Sequence, residues 1–271
     1  MRVRPTAVAG RFYPADPDTL AALVDRLLAK VPSSGHRSRP VALVAPHAAF
    51  RFSGPVAATV YAHLSRWSGD VARVVVLGPA HFTPLRGMAL PTVDAFETPL
   101  GPVAVDADAR AVVGGGLPAV VVDDEPHASE HAIETQLPFL IRTLGWAVSV
   151  LPVVVGDTPP TAVATLLSEL DAPGTVVVVS TDLSHYLNRA QACERDTRTA
   201  AVVLARNGEA LRPGDACGFH PLRGLLCHAA DRDLVVEQLQ LATSADTGGD
   251  PGRVVGYGAF LLHEKAGGST G

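Results

Sequence analysis

The sequence predicts an α/β fold, a single layered domain in which helices flank a mostly parallel central sheet. Short runs of valine, leucine and isoleucine recur along the chain, and such runs are typical of strands buried on both faces of a parallel sheet. Helical patterns separate these runs, and alternating strands and helices build layered α/β domains. The 271 residues, 47% hydrophobic and 18% charged, suit one globular domain with a sizeable core.

Six apolar runs are predicted as strands. They span residues 41–45, 73–77, 119–122, 147–155, 175–179 and 254–262. Residues 89–105 are rich in proline, threonine and glycine, so we expect an irregular insertion or a hairpin there. We assign residues 1–265 to one domain and expect a disordered tail over residues 266–271.

Six further segments carry helical patterns. A stripe of apolar residues at i, i+3 and i+4 follows Asp18, which can cap the first helix. Ser129 can cap the third helix, in which Pro138 should produce a kink because proline lacks a backbone donor. The predicted helices span residues 18–28, 53–67, 129–144, 159–170, 190–205 and 222–241.

Composition excludes several classes of protein. The net charge of −5 gives no basic surface for nucleic acid or an anionic membrane. No apolar run is long enough to span a membrane and no apolar signal segment follows Met1, so we expect a soluble cytoplasmic protein. The chain has three cysteines, Cys193, Cys217 and Cys227. A number that is both small and odd argues against a fold stabilised by disulfide bonds. Neither a P-loop nor the glycine-rich dinucleotide fingerprint is present.

Histidines follow three of the predicted strands directly. His47 lies just beyond the run 41–45, His81 beyond 73–77 and His185 beyond 175–179. A single histidine in this position is more often a cap or a core residue. Because ligands bind at the carboxyl edge of open α/β sheets, three together predict a shared site at one edge of the sheet.

Imidazoles that converge beside carboxylates indicate a metal site. A ligating histidine needs an acceptor for its second nitrogen, and Asp182 and Glu134 are candidates for that role. His131 and Glu134 are three residues apart and would share a helix face, although solvated ion pairs have the same spacing. Cys217 lies before a predicted helix, so it is either a packed thiol or a thiolate favoured by the helix dipole. His220 follows in C-x-x-H spacing but has no second pair to complete a closed zinc site.

Several motifs together resemble the MEMO family, whose bacterial members are also called AmmeMemoRadiSam system protein B. The resemblance runs in order along essentially the whole chain. Its motifs are A-G-R-F-Y-P at residues 9–14, A-P-H-A-A-F at 45–50, L-G-P-A-H at 77–81, E-H-A-I-E at 130–134, L-P-F at 137–139, S-T-D-L-S-H at 180–185, A-C-G-F-H-P at 216–221 and G-Y-G-A at 256–259. This family is similar in fold to the class III extradiol dioxygenases, which are non-haem iron enzymes.

The resemblance implies roles for individual residues. Its motifs imply that His47, His81 and Cys217 ligate a metal. The resemblance also implies catalytic roles for Asp182, His185 and His131. Asp182 and His185 would line the same pocket, and His131 would act as an acid or base. Two residues depart from the family pattern, since the family often has glycine at the position of Ala49 and tryptophan at that of Phe12.

Three functions follow from these residues as hypotheses. The leading one is a metal-dependent oxidoreductase that acts on a small molecule or a peptide. Iron is the metal expected, with copper or zinc as alternatives. The second is a non-catalytic module that binds a peptide or a partner protein in the same pocket. The third is a zinc hydrolase. The resemblance is compatible with a radical-SAM protein as pathway partner, and the charge and the short apolar runs predict that the protein binds neither nucleic acid nor a membrane. The oligomeric state is left open.

Overall fold

The computed structural model of the protein describes residues 1–32, 38–146 and 148–265. The predicted tail over residues 266–271 lies outside the described residues. The strands are β1 (Val3–Arg4), β2 (Pro40–Ala45), β3 (Arg73–Pro79), β4 (Met88–Leu90), β5 (Ala95–Phe96), β6 (Val103–Ala104), β7 (Val120–Val122), β8 (Ser149–Val155), β9 (Thr175–Ser180), β10 (His185–Leu187), β11 (Val235–Thr243) and β12 (Val254–His263). The α-helices are α1 (Pro17–Ala29), α2 (Phe50–Leu64), α3 (Ala107–Gly114), α4 (Glu125–Ala128), α5 (Leu137–Leu144), α6 (Pro160–Glu169), α7 (Arg189–Leu204) and α8 (Phe219–Asp231).

The main sheet has a parallel centre and antiparallel flanks. Its strand order is β10-β12-β2-β9-β3-β8-β4-β7, with β11 paired to β12. Strands β2, β9, β3 and β8 run parallel to one another, whereas β12 is antiparallel to β2 and β4 is antiparallel to β8. The predicted α/β class is confirmed, and the sheet as a whole is mixed. A small second sheet contains β1, β5 and β6, in which antiparallel β5 and β6 form the hairpin expected within residues 89–105.

Both faces of the central strands are buried, because alternate residues of each strand point to opposite faces. In β3, Val74 and Val76 pack with residues of α1, α2 and α5. Val75 and Leu77 pack on the other face with residues of α3, α6, α7 and α8. This two-sided burial explains why the sequence of β3 is an almost unbroken apolar run.

The helix predicted over residues 222–241 is wrong in its second half. Helix α8 ends at Asp231, and Asp233 adopts a positive φ of 53° that ends the helical path. The chain then forms β11, which pairs antiparallel with β12 from Val235 to Thr243. The long-range pairing of a nine-residue strand therefore overrides the local helical pattern.

The helix predicted over residues 129–144 is also shorter than expected. A 3₁₀ turn spans Glu134–Gln136 and α5 begins only at Leu137, with Pro138 in its first turn. Proline suits that position because its missing N–H would be unpaired there, whereas deeper in a helix its ring clashes with a carbonyl of the preceding turn. His131 and Glu134 consequently do not share a helix face.

Candidate metal centre

Three adjacent strands of the main sheet deliver polar residues to its carboxyl edge. His47 lies two residues beyond the end of β2, Asp182 two residues beyond β9 and His81 two residues beyond β3. Since β9 pairs with both β2 and β3, these three residues meet at one edge of the sheet, as expected from the strand-end pattern.

A cavity of about 670 Å³ opens at this edge. Its volume lies in the range typical of small-molecule sites. The structure brings all six residues that the sequence singled out into its lining: His47, His81, His131, Asp182, His185 and Cys217. Their meeting is a structural observation, and their individual chemical roles stay predictions.

The three imidazoles of His47, His81 and His131 form the centre of this cavity. One nitrogen from each ring lies within 4.8 Å of those of the other two. The ring of His131 stacks on that of His81 with 4.8 Å between centroids, and that of His47 lies edge-on to both. Three imidazole nitrogens at this spacing form a donor set that suits a first-row transition metal.

His47 is fixed in its position and held neutral. Its Nδ1 lies 3.0 Å from Ser180 Oγ, and its Nε2 lies 3.2 Å from Cys217 Sγ. Burial, followed by the electrostatic effect of His81, lowers the pKa of His47 to about 3. A neutral imidazole with one nitrogen held by a hydrogen bond is the form in which histidine binds metals.

Glu130 orients His81. Its Oε1 lies 2.9 Å from His81 Nδ1, and its Oε2 accepts the His81 backbone N–H at 2.8 Å. Burial opposes the charge of Glu130, but the hydrogen bonds from His81 and from the backbone of Ala132 lower its pKa to about 2. Glu130 is therefore ionised and leaves Nε2 of His81 for a metal. This partner could not be identified from the sequence pattern, because the two residues are 49 positions apart.

Glu134 does not orient a histidine, so that expectation is wrong. Its carboxylate is fully buried and forms an ion pair with the buried guanidinium of Arg4. It also accepts the Tyr13 hydroxyl at 2.5 Å and the backbone N–H groups of Ala7 and Val8 at 2.7 and 3.0 Å. Glu134 thus fixes the N-terminal segment onto the core.

His131 has an unsatisfied nitrogen next to this centre. Its Nδ1 makes no hydrogen bond among the described residues, although it lies 3.4 Å from Glu130 Oε1. Burial and repulsion from His47 lower the pKa of His131 to about 4. A buried polar atom without a partner is uncommon, and this one marks His131 as a group that a bound ligand or ion would complete.

Cys217 contacts the histidine centre through its sulfur. Its Sγ accepts the backbone N–H of Asp182 at 3.2 Å and lies 3.2 Å from His47 Nε2. Burial and the nearby carboxylate of Asp182 raise the pKa of the thiol to about 12. Of the two alternatives for Cys217, burial therefore favours the protonated thiol over the thiolate in the protein without an ion. A cation beside Sγ would reverse this balance, since coordination deprotonates a thiol.

Asp182 and His185 complete the polar wall. Asp182 Oδ1 accepts the backbone N–H of His47 at 2.8 Å, and burial raises the pKa of this carboxyl. His185 Nδ1 lies 2.8 Å from the carbonyl oxygen of Leu183, so its other nitrogen is left for the cavity. His220 lies outside this cavity, with Nδ1 3.3 Å from the carbonyl oxygen of Thr158.

His127, which precedes this centre in sequence, is a buried core histidine. It is 1% exposed, its Nε2 lies 3.0 Å from the carbonyl oxygen of Ala89, and burial lowers its pKa to about 4. The unfolded chain takes up this proton near pH 6.5. Because the folded protein takes up this proton only near pH 4, stability is at its full value above pH 6.5 and falls as the pH is lowered from 6.5 toward 4.

We expect this one histidine to make wild-type stability strongly pH-dependent. Between pH 7 and pH 5, the free energy of unfolding should fall by about 2 kcal/mol more in wild type than in His127→Gln. Urea unfolding of both proteins in the presence of a chelator measures the difference. Parallel pH profiles for the two proteins would show that His127 is not the group that titrates.

Comparison with known proteins places this architecture in a family. The profile of the Memo-like proteins matches residues 4–261, which include every residue of the histidine centre. The chain belongs to the Memo-like family. A MEMO1 family protein of Methanopyrus kandleri is 35% identical, over 96% of this chain and 98% of the relative. MEMO1 family proteins of Aquifex aeolicus and Thermotoga maritima are 32% and 31% identical, over 95% and 96% of this chain and 98% and 99% of the relatives.

The two positions at which the resemblance implies a departure from the family pattern both lie in the cavity of this Memo-like chain. Phe12 and Ala49 line it, and the Phe12 ring contacts His131 edge-on with 4.8 Å between centroids. They therefore shape the space beside the imidazoles and leave the donor atoms unchanged. Among the described residues, no helix is both long and apolar enough to cross a membrane.

Proposed function

We propose that this Memo-like protein is a metal-dependent oxidoreductase with iron as its first-choice metal, ahead of copper. The observation that carries the proposal is the cluster of His47, His81 and His131 nitrogens within 4.8 Å of one another. The cluster lies in a cavity large enough for a small organic molecule or a peptide side chain.

The donor set fits a transition-metal ion. His47 is neutral because burial lowers its pKa to about 3, and the second nitrogens of His47 and His81 are held by Ser180 and Glu130. Such partners fix the ring orientation that a metal requires. When bound, the ion would supply electron-transfer or Lewis-acid chemistry at the inner end of the cavity.

Cys217 is our choice for the third ligand beside His47 and His81. A sulfur and an imidazole nitrogen bound to one tetrahedral ion lie about 3.5 Å apart, and Cys217 Sγ already lies 3.2 Å from His47 Nε2. His131 is then left as a neighbouring acid or base. Its low pKa keeps it neutral, so it can accept a proton.

Of the remaining polar residues of the cavity, Asp182 positions the metal ligand His47 and His185 accepts a proton from a substrate. Asp182 holds the backbone of His47. His185, with Nδ1 at the Leu183 carbonyl oxygen, presents Nε2 to the cavity, where it can accept a proton from a substrate. Phe12 contacts the ring of His131 edge-on and would limit the access of water to this side of the cluster.

A metal titration of single variants tests the ligand assignment. We expect Cys217→Ser to lower metal affinity at least tenfold under reducing conditions, because a hydroxyl is a much poorer ligand than a thiolate for such metals. His131→Gln should have a smaller effect. Cys227→Ser is the control, since Cys227 is a free cysteine away from the cavity lining. Equal affinities of Cys217→Ser and wild type would eliminate Cys217 as a ligand, and a larger loss in His131→Gln would assign the third position to His131.

Metal content and oxygen consumption separate the three functional hypotheses. Protein purified without chelators should contain iron or copper, and the iron-loaded protein should consume dioxygen with its substrate. Zinc as the only metal present would favour the hydrolase. A protein with no affinity for any of these metals would favour the peptide-binding module.

A further inference from the structure

Tyr257 in β12 is a buried side chain whose hydroxyl has no protein partner. The residue is 1% exposed and lines the cavity, so the little surface that remains uncovered faces the cavity. Its hydroxyl makes no hydrogen bond with any residue that the structure describes. The hydroxyl is not one of the fully buried polar atoms that lack a partner among the described residues, so a ligand in the cavity can reach it.

The backbone around Tyr257 is fixed next to the polar wall of the cavity. Gly256 donates its N–H to the carbonyl oxygen of Ser184, and its own carbonyl oxygen accepts the N–H of Leu183, both at 2.8 Å. Tyr257 itself pairs with Ala242 of β11. The backbone that carries the phenol is therefore fixed beside the segment that carries His185, which lowers the cost of ordering the side chain when a ligand binds.

The phenol acts as a hydrogen-bond donor at neutral pH. Burial and the nearby Asp182 raise its pKa above the usual value of a tyrosine, so the proton stays on the oxygen. The strongest acceptors for such a donor are oxygen atoms that carry negative charge. The hydroxyl makes no hydrogen bond with a carboxylate of the described residues, so a ligand in the cavity can supply the acceptor.

We propose that the Tyr257 hydroxyl binds an oxyanion of the organic ligand, either a carboxylate or a phenolate, at the inner end of the cavity. The aromatic side chains Phe12 and Phe52 line the same cavity and provide an apolar wall for the body of such a ligand. The inference names the ligand class for the site of the proposed function and rests on that function only for the choice of cavity. It requires no metal.

Removing only the hydroxyl isolates its contribution. Equilibrium dialysis of metal-free protein with benzoate and, separately, with 4-nitrophenolate measures binding of a carboxylate and of a phenolate on rings of similar size. We expect Tyr257→Phe to weaken binding of at least one probe about tenfold or more, because a hydrogen bond to a charged group is lost. The probe that is affected tells which oxyanion the hydroxyl prefers.

Tyr186→Phe is the matched control. Tyr186 lines the same cavity but is 63% exposed, so its hydroxyl remains in water and its removal should leave both affinities unchanged. Metal affinity should also be the same in Tyr257→Phe and wild type. A metal-binding failure of wild type would refute the proposed function and leave this inference intact if the probe result holds.

Two outcomes would overturn the role of Tyr257. One is equal probe affinity of Tyr257→Phe and wild type, which would mean that water alone satisfies the hydroxyl. The other is no binding of either probe to wild type up to about 10 mM, well above the millimolar range of weak specific binding.

Discussion

Replacing His47 with glutamine should lower metal affinity by more than about 100-fold. Removing a group that only hydrogen-bonds to a metal ligand already lowers metal affinity about 10–100-fold. His47 is the residue of the centre that contacts both Ser180 and Cys217. The neutral amide keeps the size and polarity of the side chain, so the fold should persist. Titration with iron(II) without oxygen, or with cobalt(II) followed by its visible spectrum, measures the loss.

The same histidine-to-glutamine substitution at a second buried histidine is the control. His228 of α8 is 4% exposed and its Nδ1 lies 3.3 Å from Ser168 Oγ, remote from the cavity lining. His228→Gln should therefore keep wild-type metal affinity. Metal affinity in His47→Gln within threefold of wild type would refute the histidine centre as the metal site.

Breaking the Arg4–Glu134 pair should destabilise the fold more than any surface change. Both side chains are almost completely buried, at 4% and 0% exposure. Glu134→Gln would leave the guanidinium of Arg4 charged in the core, and removing one partner of a buried pair costs about 3–5 kcal/mol. The free energy of unfolding in urea, measured at pH 7, gives this value directly.

An exposed pair supplies the comparison. Arg142 and Asp25 form two hydrogen bonds of 2.7 Å, but their side chains are 38% and 49% exposed. Asp25→Asn should cost less than about 1 kcal/mol, because water screens and solvates both charges. A loss of similar size in Asp25→Asn and Glu134→Gln would contradict the account of Glu134 as a buried anchor.

The central strands could be predicted from sequence because burial on both faces leaves a strong local signal. Residues 41–45, 73–77 and 175–179 were each placed within two residues of the observed strand ends. Strand β11 could not be predicted in this way. Its residues are nearly all half-buried, so they show no clean alternation, and its conformation depends on pairing with β12.

The histidines of the site were predictable and their partners were not. His47, His81 and His185 follow strands, and strand ends can be read from the sequence. The role of Glu130 depends on a hydrogen bond to a residue 49 positions away. Glu134 has the same side chain and lies only four residues further along the chain, yet its carboxylate forms an ion pair with Arg4. The 3₁₀ turn before Pro138 decides which of these two carboxylates faces the site. The sequence pattern indicates a helix there instead.

The cavity is assembled from segments that lie far apart in the chain, and this has a kinetic consequence. His47, His81, His131, Cys217 and Tyr257 each belong to a different segment. No local stretch can form the site early, and contacts between distant segments form only after slow loop closure. An ion that needs the completed site binds the native state and not the transition state. It should therefore slow unfolding and prolong the lifetime of the folded protein, while the rate of folding stays the same.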